Sequence, residues 1–154
     1  MANMQSVVRS IGALMVLGSK ISEEIAGFTA TARDLPMGFS GLGDDLSVNC
    51  SILTQLERSL SRSLNSTEFP QDALAELSAV LTKCLEVFSH LQTLVRKFID
   101  HEKGGPLAKL SRTWRIYFAD KDIDKIRSAL QAQRSTLNMA LMLTNKYFDP
   151  LRFL

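Results

Sequence analysis

The sequence predicts an all-α protein: an elongated, up-and-down antiparallel bundle of four to five helices, forming one domain over residues 1–154. Three observations predict it. Apolar residues recur at spacings of three and four, the mark of helices with one buried stripe. Breakers are scarce, with 8 Gly and 4 Pro in 154 residues, and they gather between the periodic stretches. Leu dominates the apolar set and no segment alternates with the period of a strand.

The first helix is expected over about 3–33. Met4, Val8, Ile11, Met15, Gly18, Ile21, Ile25 and Phe28 form its stripe, which Leu14 and Leu17 widen. Pro36 stops it, because proline lacks the N–H and restricts the residue before it. A second helix over about 37–64 carries Phe39, Leu42, Leu46, Asn49, Leu53, Leu56 and Leu60. Gly38, Gly41 and Gly43 are expected to weaken its first turns by up to about 1 kcal/mol each. The third helix, about 71–103, has the most regular seam: Leu74, Leu77, Leu81, Cys84, Phe88, Leu91, Val95 and Phe98. Gly104-Gly105-Pro106 ends it. A short fourth helix, about 107–119, sets Leu110, Trp114 and Phe118 on one side. A fifth, about 122–147, carries Ile123, Ile126, Leu130, Gln133, Leu137 and Leu141. Asp149-Pro150 closes it, leaving the apolar tail Leu151-Arg152-Phe153-Leu154. Three helices of about 25 to 30 residues are each about 40 Å long, and short connectors make neighbours antiparallel.

Composition narrows the function. A net charge of +2 is too small for a nucleic-acid partner, which asks for a concentrated basic face. Cys50 and Cys84 stand in apolar stripes without metal spacing, so they read as small buried hydrophobes in a reducing, cytoplasmic setting. No run reaches the roughly 20 apolar residues of a membrane span. Ser10–Ser19 is too short and too continuous with the helix for a signal-peptide core, and Asn65-Ser66-Thr67 reads as a chance sequon.

The motifs of catalysis are not found. No glycine-rich loop precedes Lys-Ser/Thr, and Gly38-Phe39-Ser40-Gly41 lacks the spacing of a nucleophile elbow. His90 and His101 read as structural. Glu23-Glu24 and Asp44-Asp45 diverge by about 100° on a helix and do not converge on one ion. Without Glu-x-x-His there is no di-iron centre. The expectation is a non-enzyme with no cofactor and no metal.

Two features point to binding. Ser10–Ser19 carries no charge, so that stretch of helix is either central in the bundle or able to enter a membrane interface. Ile11, Leu14, Met15 and Leu17 are its candidate contacts. Lys103, Lys109, Arg112 and Arg115, with Arg96 and Lys97, gather near the Gly-Gly-Pro turn, where anionic headgroups contribute about 1 kcal/mol per charge. The tail at Leu151–Leu154 and Trp114 with Tyr117 are candidates for protein docking.

These residues also carry a resemblance. Ser10-Ile11-Gly12-Ala13-Leu14-Met15-Val16-Leu17-Gly18-Ser19-Lys20-Ile21 resembles the opening of the HeLo-like N-terminal domains of fungal STAND proteins, the NOD-like receptors. Asp34-Leu35-Pro36 with Leu42, Leu46 and Leu53 is similar to their second helix, and Leu77–Cys84 to their third. Trp114, Lys121, Ile123, Ile126, Leu130, Arg134, Leu137, Asn138 and Leu141 look like their final pattern, with Arg134 where Lys is usual. The resemblance spans nearly the whole chain. It implies a non-catalytic signalling module, usually joined to a nucleotide-binding domain and a repeat sensor. Such a module acts in programmed cell death of the heterokaryon-incompatibility type. It would work by self-association, as a homo-oligomer or with protein partners, and by recruitment of the first helix to membrane. The alternative is a docking or dimerisation bundle without membrane activity.

Overall fold

The computed structural model describes residues 3–31, 38–62, 69–102 and 106–148, with side chains described outside 101–120 and 147–148. These residues form four helices and no strand: α1 Met4–Thr31, α2 Phe39–Ser61, α3 Gln71–Glu102 and α4 Pro106–Phe148. The architecture is an all-α helical bundle.

The helix count corrects the sequence expectation. Residues assigned to a fourth and a fifth helix form one continuous helix of 43 residues. Ala119-Asp120-Lys121-Asp122 holds no Gly or Pro, so nothing in it breaks the backbone ladder. An interior Asp such as Asp120 or Asp122 costs a helix only about 0.7 kcal/mol. Pro106 takes the first helical position of α4, where its missing N–H has no partner to lose.

The helix starts explain themselves locally. Ser6 N–H donates to Asn3 Oδ1 at 2.7 Å while Asn3 N–H donates to Ser6 Oγ, a reciprocal cap at the head of α1. Gly38 precedes α2 with φ 83°, a left-handed conformation that favours glycine.

Every helix contributes one stripe to a single core. On α1 the buried set is Met4, Val7, Ile11, Leu14, Gly18, Ile21, Ile25 and Phe28. Val7 and Leu14 take the places expected for Val8 and Met15, which pack half-buried at the margin. On α2 the expected stripe is buried, joined by Ile52. Phe28, Phe39 and Phe98 meet at one end, with Phe39 edge-on to Phe28 at 5.2 Å and to Phe98 at 5.4 Å.

The packed pairs are α1 with α2, α1 with α3, α2 with α4, and α3 with α4. Contacts give their sense. Phe28 meets Phe39 while Gly18 lies by Cys50, so α1 and α2 are antiparallel. Gly18 lies by Phe88 and Glu24 by Arg96, so α1 and α3 run together. Asp45 with Arg127 and Ser59 with Asn145 show the same for α2 and α4. Thus α3 packs on α1 and α4 rather than beside its sequence neighbour α2.

Candidate functional site

The uncharged stretch of α1 serves the core in this conformation. Ile11 and Leu14 are buried, and Met15 and Leu17 are half-buried against the core. Of its large side chains only Val16 faces out, 72% exposed. Beside it Ser10, Ala13, Leu14, Leu81 and Leu85 line a shallow cleft of about 160 Å³.

The basic candidates fall differently. Lys109, Arg112 and Arg115 belong to the first turns of α4, but their side chains lie outside the described ones, as does that of Trp114. Lys103 and the Leu151–Leu154 tail lie outside the described residues. Arg96 is not a free cation: its guanidinium is 3.5 Å from Glu24 Oε1. The structure therefore brings Ile11 and Leu14 together in the core and does not join them to the described basic side chains.

Two amides stand in the core. Asn49 Nδ2 donates to the Leu130 carbonyl at 3.0 Å, tying α2 to α4. Gln133 Nε2 donates to the Lys83 carbonyl at 3.0 Å, tying α4 to α3. The second polar atom of each, Asn49 Oδ1 and Gln133 Oε1, is buried without a protein partner. Such a half-satisfied amide costs about 1–3 kcal/mol, and its directional bond selects one register of the helices.

Arg127 forms the other polar link. Its Nε donates to Asp45 Oδ2 at 2.9 Å, and its guanidinium covers Gly41, where a Cβ would stand 2.5 Å from Cζ. Gly41 is thus a close-approach position, where the Arg127 side chain occupies the place of a Cβ.

The thiols are kept neutral. Burial pushes the Cys84 thiol up to about 12, and nearby Cys50 adds to the shift; burial raises Cys50 as well. His90 is exposed on α3. Among the described residues no group of His, Cys, Asp and Glu is placed to hold a metal ion. Nor, among them, is any helix long and apolar enough to cross a membrane.

Sequence reasoning missed one surface. Between α3 and α4, Phe69, Ala73, Leu77, Val80, Met139 and Leu143 line an apolar cleft of about 330 Å³. Met139 of this lining is 71% exposed, as is Met142 on the same helix. A signal was present: the 18 residues Ser128–Asn145 carry a single charge, Arg134. A long helix facing water on one side ordinarily places charges there.

Comparison of the chain with protein-family models, with curated proteins and with solved structures returns no match.

Proposed function

We propose that this chain is a non-catalytic signalling module of the kind it resembles, the HeLo-like N-terminal domains of fungal NOD-like receptors. It acts by self-association and, once α1 leaves the core, at an anionic membrane surface. In this reading the helices alternate up and down in an elongated bundle, the resting protein is cytoplasmic, and its outcome is programmed cell death.

One observation carries the membrane half: a helix without charge from Ser10 to Ser19 whose Ile11 and Leu14 are sequestered in the core. Release of α1 exposes an apolar face, and the Lys109, Arg112 and Arg115 segment supplies attraction to anionic headgroups. The test is co-sedimentation with vesicles of phosphatidylserine and phosphatidylcholine against phosphatidylcholine alone. The wild type is expected in the anionic pellet, and Lys109→Glu/Arg112→Glu/Arg115→Glu in the supernatant. Wild-type protein that stays in the supernatant with both vesicle types removes the membrane half.

The second reading, a docking or dimerisation bundle without lipid activity, is favoured by the apolar α3/α4 cleft with its exposed Met139, and by exposed Met142 on the same helix. It predicts association in buffer without vesicles.

A further inference from the structure

The outward face of α4 has a pattern that the core does not explain. At about 100° per residue, Ser128, Ala132, Ser135, Thr136, Met139, Met142 and Leu143 share an arc of about 120°. All seven are exposed and none is charged. Their sizes are graded: Ser128, Ala132 and Ser135 are small, while Met139, Met142 and Leu143 are large. Charges return only at the ends, with Asp124 and Lys125 before the face and Lys146 after it. Arg134, the single charge within the span, lies about 140° around the helix from Met139.

We infer that this face binds a second copy of the same chain, with the two α4 helices antiparallel about a two-fold axis near Ser135 and Thr136. The grading selects that occupant and that sense. Antiparallel pairing centred there sets Met139 of one copy over Ala132 of the other, and Leu143 over Ser128, so a ridge meets a hollow twice. A parallel pairing would stack large on large and Lys146 on Lys146. In the antiparallel register Lys146 of one copy falls opposite Lys125 of the other with Asp124 beside it, so charge does not select the sense and the size grading alone does. A face that carries both ridge and hollow is self-complementary, the requirement of a two-fold interface. Small side chains let helix backbones approach, and Met adapts its shape to the surface it meets.

The α3 side widens the surface. The cleft between Leu77, Val80 and Met139 continues the apolar face onto a second helix. The α4 part is about 22 Å long at 1.5 Å per residue. At a helix width of about 10 Å this strip is about 220 Å² in plan, well below the roughly 800 Å² per partner of a standard stable interface, so the dimer is expected to be weak and concentration-dependent. This inference rests on the self-association part of the proposed function and names its surface.

Sedimentation equilibrium of the 154-residue chain without lipid tests it, over roughly 10 μM to 1 mM, where a small interface registers. The wild-type mass is expected to rise from 17.1 kDa toward twice that value. Met139→Glu at the large end and Ala132→Glu at the small end should each hold it at one chain. Both sites are exposed, so circular dichroism and melting should match the wild type. Ser135→Cys, next to the axis, should give a covalent dimer on mild oxidation. A wild type that stays at one chain throughout overturns the inference together with self-association. Association that survives both Glu variants overturns this surface and leaves self-association standing. Loss in Met139→Glu alone overturns the two-fold pairing.

Discussion

The α1/α2 seam and the α3/α4 seam are built from helices of similar make, yet one is closed and the other open. Between α1 and α2 the Cys50 side chain fills the space at Gly18, where an added Cβ would stand 2.5 Å from Cys50 Sγ and 3.4 Å from the Phe88 ring of α3. The Phe28, Phe39 and Phe98 rings fill its end. Between α3 and α4 the chain leaves apolar clefts and a row of exposed Met and Leu. The difference teaches that apolar periodicity locates stripes, while the size of residues along them decides which seams close. A closed seam supplies stability. An open apolar seam supplies surface for another molecule.

The strongest way to break this contrast is to empty the closed seam. Phe39→Ala removes both edge-to-face contacts and should destabilise by about 3–5 kcal/mol, whereas Leu143→Ala on the open seam should change stability by less than about 1 kcal/mol. Urea titrations of the two variants measure both; equal losses would erase the distinction.

Alkaline pH probes the interior next. The Cys84 thiol is raised from 9.0 to about 12 in the folded protein. Below pH 9 it is neutral folded and unfolded, and its contribution to stability is complete. Between pH 9 and 12 the unfolded thiol ionises while the folded one keeps its proton. Unfolding then releases a proton, and stability falls by up to about 1.4 kcal/mol per pH unit. Cys84→Ala should flatten this part of the stability curve relative to the wild type; parallel curves would show that the thiol is not sequestered.

Glycine substitutions sharpen the comparison at single positions. Gly18→Ala places a methyl against Cys50 and should cost about 1–3 kcal/mol, with Cys50→Ala in the same chain recovering part of the loss. Gly12→Ala, on the same helix but with nothing within 4 Å of its Cβ, should stabilise by about 0.5–1 kcal/mol. Thermal melts of the three variants give the signs, and a destabilising Gly12→Ala would contradict the open space at that position.

Much of the interior was legible. Leu42, Leu46, Leu53, Leu56 and Leu60 were placed on the core face of α2 by spacing alone, and all are buried. Even the polar members of the stripes, Asn49 and Gln133, stand inside, held by cross-helix hydrogen bonds. The break expected between 119 and 122 does not exist, because Ala119-Asp120-Lys121-Asp122 contains no residue that interrupts a helix. The outward α4 face was not legible because it is marked by missing charge rather than by an apolar period, Ser128, Ser135 and Thr136 being polar. The α1 candidates were visible as residues, but their burial was not.

By itself, the sequence determined where helices form and which edge of each is apolar. Those properties rest on neighbours three and four positions apart, within one or two turns. Only the tertiary structure decided that α3 lies beside α1 and α4, that Gly41 makes room for Arg127, and which of the two uncharged faces of α4 enters the core. Each of these depends on residues up to about eighty positions apart in sequence, such as Asp45 and Arg127, meeting within hydrogen-bond distance. No local period encodes that meeting.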